Sequence, residues 1–491
     1  MVMLTKQIRL TKDLLNELQM LVEWGLYPNI SEAVRDAVRR LVTGNEAPIK
    51  QLQSPGLDKN KEVKAQEVKE NLNKELKKQF QKPKGTEDFF PEEMSIKNKV
   101  FDVLRKNALL YGFTEVDSPV IEDLNLLKAK QGEEIVGQIF TIEQKSEEEL
   151  ALRAEFTPSL ARMFISEQKA IPKPVKWFCI NKVFRYERPQ AGRAREFFQF
   201  NVEIYGSNKS EADAEIINLA ISSLKDLGLT EKDFFVKINN RKLIQGLLLE
   251  IVDEKLFDGV MRVIDKKNKI TEQEWDSEFE KLGLERTKIE QIKRVLNSDI
   301  DSLNPKSEMA KNGLQELKGI MNFLDKKFIK IDISTVRGLA YYTGIVFEIY
   351  DTKQKFRSIA GGGRYDNMIE LFRGEATAAT GFGMGYSTLR LLLNDRKLLP
   401  ESELSVDYYI AIVTDDVREK AFEIAAKLRK RYKVDIDLNK RNLRNQLDYA
   451  VKIKAKNVIF IGPDEIKQNR IKIKNLESGK EETTNIDTIL S

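Results

Sequence analysis

The sequence predicts a multidomain chain of mixed α+β and α/β class, and three observations carry this. Between Pro83 and about residue 400, helical and strand-like stretches alternate, and a charged helical run from about 231 to about 330 interrupts them. From about residue 405, "YYIAIV", "VDIDL" and "NVIFIG" are short apolar strands separated by the helical "DVREKAFEIAAKLRKRY" and "LRNQLDYAVKIK". That β-α-β-α-β order predicts a small parallel or mixed α/β domain. Residues 3–44 read as strand, helix, helix. The expected units are 1–44, a linker over 45–82, a core assembled from 83–230 and 331–400, an insertion over 231–330, and a C-terminal domain over 401–491.

The N-terminal unit starts with "LTKQIRL", which alternates: Ile8 and Leu10 face one side, Thr5, Gln7 and Arg9 the other. A helix from about Lys12 follows, with Leu14, Leu15, Leu18, Leu21 and Val22 on one stripe. Gly25 and Pro28 break it. Ser31 is the expected cap of a second helix with Ala33, Val34, Ala37, Val38 and Leu41 inside, and Gly44 ends it. The 45–82 stretch is punctuated by Pro and Gly, then rich in lysine, as in a solvated linker with a weak basic helix.

Composition narrows the chemistry. The 491 residues suit about three to four domains of ~100–200 residues. The 82 basic and 77 acidic side chains leave a net charge of +5, which permits nucleic-acid binding without requiring it. The single cysteine, Cys179, excludes a disulfide framework or thiolate zinc site within one chain and suits a buried small hydrophobe. No run of about 18 apolar residues predicts a membrane span and "MVMLTKQIRL" is not a signal peptide, so a cytoplasmic location is expected. There is no histidine. No imidazole of this chain serves as base, nucleophile or metal ligand; chemistry rests on arginine, lysine, carboxylates, hydroxyls and bound ions.

The stretch "FRYERPQAGRAREFFQFNVEIYG", residues 184–206, concentrates that chemistry. It reads as two strands joined by a Pro-Gln-Ala-Gly-Arg turn, with Arg185, Arg188, Arg193 and Arg195 crowded on it. Arginines fixed on antiparallel strands suit a polyphosphate held during phosphoryl or nucleotidyl transfer. Glu187 can accept a hydrogen bond from an exocyclic amine such as that of adenine, and Phe197 offers a ring to stack on a base. Gln199 and Glu203, at i and i+4 on a strand, point to one face and can line a small polar pocket.

These residues resemble motif 2 of class II aminoacyl-tRNA synthetases, the histidyl-tRNA synthetase family in particular. Further stretches resemble that family in its order: "PKGTEDFFPEE" (83–93) its start, "YGFTEVDSPVIE" (111–122) motif 1, and "LALRAEFTPSLARM" (150–163) its amino-acid-binding segment. "RGLAYYTGIVFEIYD" (337–351) and "AGGGRYDN" (360–367) resemble its two histidine signatures, "GFGMGYSTLRLL" (381–392) motif 3, and the last ~87 residues its anticodon-binding domain. The resemblance implies an antiparallel-sheet catalytic core and a dimer through motif 1. It implies histidine, ATP with Mg²⁺, and tRNA(His) as substrates and partners. In its terms Arg185 contacts the α-phosphate, Glu187 the adenine, Phe197 stacks on the ring, and Arg193 and Arg195 steady the phosphates. Arg337 stabilises charge as the carboxylate attacks phosphorus. Glu155, Thr157 and Gln199 bind the α-amino group; Glu203 and Tyr342, with Tyr341 beside them, grip the two imidazole nitrogens. Ligands for Mg²⁺ are not implied.

One departure bears on ATP. The family's motif 3 arginine follows the last glycine by three residues; here Gly385 is followed three residues on by Thr388, and Arg390 comes two later. Two helical residues are a rotation of about 200°. The expected ATP contact is Arg390, carried inward by a lengthened turn; the alternative is that Thr388 occupies the slot and the γ-phosphate contact is lost.

Residues 3–44 resemble the ribbon-helix-helix family of DNA-binding dimers. That resemblance implies a two-chain ribbon whose Thr5, Gln7 and Arg9 face base edges; a dimerisation module without DNA is the alternative. For the whole chain a ligase and a histidine- or tRNA-sensing regulator both fit, with the intact "RGLAYY" and "REFFQ" stretches favouring the ligase. A ligase for histidine that contains none would stay translatable when histidine is scarce.

Overall fold

The computed structural model describes residues 12–23, 27–43, 81–129, 137–143, 148–267, 270–336 and 341–490. The chain divides into two units, Met1–Glu87 and Asp88–Ser491.

In the first unit two helices, Lys12–Glu23 and Ile30–Thr43, bury Leu18, Leu21 and Ala33 of the expected apolar stripes, whereas Leu15, expected on the first stripe, is exposed. The second helix is capped by Asn29, not by the expected Ser31: the Asn29 Oδ1 accepts from the Glu32 backbone N–H at 2.9 Å. Helix starts at Ile30, so Ser31 already lies inside the first turn while the Asn29 carbonyl-type oxygen reaches the exposed amide. The expected strand, with Thr5, Gln7 and Arg9, lies outside the described residues, as do 44–80.

The second unit is organised by its strands: β1 Thr114–Glu115, β2 Ile121–Asp123, β3 Thr141–Ile142, β4 Leu150–Leu152, β5 Val175–Phe184, β6 Glu196–Tyr205, β7 Phe234–Asn240, β8 Ile329–Ile331, β9 Ile345–Asp351, β10 Ala360–Arg364 and β11 Ala379–Gly385. Eight of them form one sheet in the order β1-β5-β6-β11-β10-β9-β7-β8. It is antiparallel except at its edges, where β1 runs parallel to β5 and β8 to β7. β2, β4 and β3 make a small separate sheet.

The period-2 pattern of β6 decides which face is core. Phe200, Val202 and Ile204 turn to the side covered by the helices Pro91–Leu110 and Ser210–Asp226 and join Phe101, Leu104, Ile217 and Leu224 in the main core. The intervening Gln199, Asn201 and Glu203 therefore share the opposite face. Pro at the first position of the Pro91–Leu110 helix follows Phe90, and no side chain caps it.

The stretch 231–330, expected as a separate insertion, contributes β7 and β8 to this same sheet. The helices between them build their own core from Phe257, Val260, Ile264, Trp275, Phe279 and Ile292. Near the C-terminus, β12 Tyr408–Ile412, β13 Val434–Ile436 and β14 Asn457–Ile461 pair in parallel, while β15 Arg470–Asn475 and β16 Glu481–Asn485 add antiparallel strands in the order β13-β12-β14-β15-β16. This is the mixed form of the expected α/β domain. Among the described residues no helix is long and apolar enough to cross a membrane.

Candidate active site

A cavity of about 720 Å³ lies on the polar face of β6. Its floor is a matched pair of strands. In β11 the sequence "ATGFGMG" alternates, so Phe382 and Met384 join the core while Gly381, Gly383 and Gly385 face the cavity. Register places Gly381 beside Glu203, Gly383 beside Asn201 and Gly385 beside Gln199. The bare backbone is required: a Cβ on Gly381 would lie 2.1 Å from Glu203 Oε2, and one on Gly383 2.0 Å from Gln199 Nε2. Into that space the β6 side chains form a line of hydrogen bonds. Gln199 Nε2 donates to Asn201 Oδ1 at 3.0 Å, and Asn201 Nδ2 donates to Glu203 Oε1 at 2.8 Å. All three are buried, Glu203 to 1% exposure. The Glu203 carboxylate sits below the lining and connects to it through Asn201. Burial first, then the neighbouring Glu203 charge, raises the Tyr205 phenol well above its usual range, and burial does the same to the Cys179 thiol, leaving it an inert core group as expected.

The wall over this floor is aromatic. Tyr341 and Tyr342 line the cavity with ring centroids 4.5 Å apart, and both pack against the buried Tyr365. Glu155 and Thr157 line it from the start of the Thr157–Glu167 helix. Behind the wall, Arg364 Nε meets Asp213 Oδ2 at 2.9 Å, and its other nitrogens donate to the Ser207 and Lys209 carbonyls at 2.9 Å each. The role of Arg364 here is an internal ion pair.

At the other end the arginine-rich loop closes the cavity. Arg185 Nε donates to the Ala154 carbonyl at 2.9 Å, and its guanidinium lies 5.6 Å from the Phe197 ring centre. Glu187 and Arg193 form an ion pair, and both line the cavity. Arg195 does not line it: its Nε donates to the Glu187 carbonyl at 3.0 Å and its guanidinium stacks 4.2 Å from the Tyr186 ring, so it shapes the loop from outside. Gly192, at φ 74°, takes the left-handed turn that the Gln190–Arg193 bridge needs.

Thus Glu155, Thr157, Arg185, Glu187, Arg193, Phe197, Gln199, Tyr341 and Tyr342 meet on one lining, and Glu203 lies just beneath it. Arg337 lies outside the described residues. Arg390 is displaced from its expected place: Ser387 and Thr388 line the cavity, whereas the Arg390 guanidinium lies 5.9 Å from the Phe89 ring and 5.8 Å from the Tyr386 ring. The helix Tyr386–Asp395 begins directly after Gly385, so there is no longer turn to restore the arginine's direction.

Several lining residues escaped the sequence reasoning. Asn201 was legible, since it lies between Gln199 and Glu203 at period 2. Lys237, Glu348, Lys355 and Arg357 were not, because they come from distant strands and one turn. Arg153, fully buried, ties the motif 1 segment to β5 by donating to the Lys182 carbonyl at 3.0 Å and to Asp117 at 3.1 Å. For a metal, the lining offers carboxylates at Glu155, Glu187, Asp265 and Glu348, with Tyr350 donating to Glu348 at 2.7 Å. No group of three or more metal-binding side chains exists among the described residues. That donor set fits an ion that arrives with a polyphosphate and takes one or two protein ligands.

Comparison with known proteins agrees with this geometry. The histidyl-tRNA synthetase family model matches residues 85–389, and an anticodon binding domain model matches 407–491. The histidine–tRNA ligase of Pyrococcus furiosus is 37% identical over 427 residues, covering 84% of this chain and 98% of the relative. The chloroplastic/mitochondrial histidine–tRNA ligase of Arabidopsis thaliana is 38% identical over 406 residues, covering 81% and 84%. In fold, the histidyl-tRNA synthetase from Nostoc sp. PCC 7120 superposes with a TM-score of 0.69 at 24% identity, over 84% of this chain and 98% of that one. The chain belongs to the histidyl-tRNA synthetase family of class II aminoacyl-tRNA synthetases, the histidine–tRNA ligases.

Proposed function

We propose that the cavity activates histidine with ATP and that the product is passed to tRNA(His). A histidine carboxylate oxygen attacks the α-phosphorus of ATP, the bond to the β-phosphate oxygen breaks, and pyrophosphate leaves. A ribose hydroxyl at the tRNA end then attacks the carbonyl carbon of the adenylate, and AMP leaves. The observation that carries this is the polarity of the cavity: an arginine-lined mouth at one end, and at the other a buried Gln199–Asn201–Glu203 line over bare glycines.

In this reading Arg185 and Arg193 hold phosphate oxygens, Glu187 accepts from the adenine amine, and Phe197 stacks on the base. Arg195 positions the loop. Arg337 stabilises the charge that develops on the α-phosphate. Glu155, Thr157 and Gln199 take the α-amino group. Tyr342 and Glu203, the latter through Asn201, meet the imidazole nitrogens, with Tyr341 beside them. Because these polar groups are buried, an amino acid without two ring nitrogens leaves them unpaired and is rejected. Mg²⁺, bound with ATP and met by Glu348, would neutralise phosphate charge.

Residues 407–491 would recognise the anticodon on splayed single-stranded bases. A second copy would cover the motif 1 region, where Leu110 and Ile121 are exposed at 72% and 49%. Pyrophosphate exchange with each amino acid in turn tests the reading. Exchange with histidine alone is expected; histidine binding without exchange would favour the sensing regulator.

For the N-terminal unit we infer a DNA-binding pair of chains, supported by two amphipathic helices in the expected order behind the basic "LTKQIRL". Binding should weaken steeply with salt in a mobility-shift titration; no shift at low salt leaves a dimerisation module. The absence of histidine supports synthesis of the protein during histidine scarcity. Inserting several histidine codons should reduce its synthesis under starvation, and equal output would contradict that link.

A further inference from the structure

We propose that Arg357, on the turn between β9 and β10, is the cation that holds the terminal phosphates of ATP, and this rests on the activation reaction proposed above. Among the described residues, three basic side chains outside the arginine-rich loop line the cavity: Lys237, Lys355 and Arg357. Two are engaged. Lys237 Nζ pairs with Asp332 Oδ2 at 2.7 Å, and Lys355 Nζ with Asp395 Oδ1 at 2.5 Å. Arg357 is exposed and makes no ion pair or side-chain hydrogen bond among the described residues.

Its position is set by the sheet. The turn ends at Ile359, whose carbonyl accepts from the Gly385 amide at 3.1 Å, so Arg357 lies at the end of the cavity where β11 gives way to the Tyr386–Asp395 helix. The arginine-rich loop reaches the same place from the other side: a Cβ on Gly192 would lie 3.3 Å from Thr388 Oγ1. The helix presents a hydroxyl there, and its own arginine, Arg390, is turned to the Phe89 and Tyr386 rings. Arg193 on one side and Arg357 on the other thus flank the mouth where a triphosphate tail would emerge. A guanidinium there can take two phosphate oxygens at once, and on an exposed turn it can let pyrophosphate go.

The test compares nucleotides that differ only in their tail. In wild-type protein and the Arg357→Ala variant, calorimetric affinities for ATP and AMP are measured, together with the KM for ATP and for histidine in pyrophosphate exchange. Loss of one charge-assisted contact predicts that ATP binding and its KM weaken about 10- to 100-fold. AMP affinity and the KM for histidine should stay within about twofold, and Arg357→Lys should recover part of the loss. ATP affinity unchanged, or ATP and AMP weakened equally, would overturn the assignment. If the wild-type protein shows no histidine-dependent exchange, the activation reaction fails on its own, and the ATP-against-AMP comparison still decides what Arg357 binds.

Discussion

The two ends of the cavity are built on opposite principles. The end beneath Tyr341 and Tyr342 is fixed: Gln199, Asn201 and Glu203 are buried, bonded to one another, and fitted against glycines that leave no room for a methyl group. The end at the 185–195 loop is partly exposed and cationic, with side chains on turns rather than within strands. The difference follows from what each must bind. Choosing one amino acid needs polar partners that cannot rearrange, because an unpaired buried group is costly. Holding a polyphosphate and then releasing part of it needs strong charges that can move.

Perturbing the anchor of the fixed end should have the largest effect. Arg364→Met leaves the Asp213 carboxylate buried without its cation, which should cost about 3–5 kcal/mol of stability near pH 7 in denaturant titrations. Burial, opposed by Arg364, already raises Asp213 from its ordinary 3.8 to about 6. An acid whose folded value is raised contributes stability below its unfolded value and loses it as pH rises through the folded one. Without Arg364 the rise is greater, so the variant's deficit should grow from about pH 5 to about pH 8. A deficit that shrinks over that range would place the anchor elsewhere.

At the cationic end, Arg185→Ala should lower kcat for pyrophosphate exchange about 10²- to 10³-fold, the cost of removing a preorganised donor to developing charge. An effect confined to the KM for histidine would detach Arg185 from the phosphate. Next, Gly381→Ala should raise the KM for histidine about 100-fold or more while the KM for ATP changes little, since its methyl group displaces Glu203. A matching loss for both substrates would mean the two ends are one mechanical unit. The smallest effect is expected at Arg390→Ala: with the guanidinium over Phe89 and Tyr386, the KM for ATP should move less than about twofold.

What was legible in the sequence was local and periodic. The 184–206 stretch reads as two strands and a turn because Phe197, Gln199 and Glu203 alternate with apolar residues, and the strands end at Phe184 and begin at Glu196. The same alternation already implied Asn201. The β-α-β order after residue 405 was equally plain. What was hidden depended on distant contacts. β7 and β8 read as edges of a helical stretch, since short strands show their sheet only through partners such as β9. Arg153 looked like any charged residue until Ser118, Asp117 and the Lys182 carbonyl enclosed it. The direction of Arg390 turned on where a helix begins relative to Gly385, which sequence spacing leaves ambiguous by a residue or two. Arg357 sits on a turn with no periodicity, and only the cavity gives it a place.

The decisive measurement is a crystal structure with histidine and a non-hydrolysable ATP analogue bound. The imidazole should lie beside Asn201 and Tyr342 above Glu203, the base on Phe197, and the triphosphate between Arg193 and Arg357. Density that leaves the β6 face empty, or that puts the nucleotide away from the 185–195 loop, would contradict it.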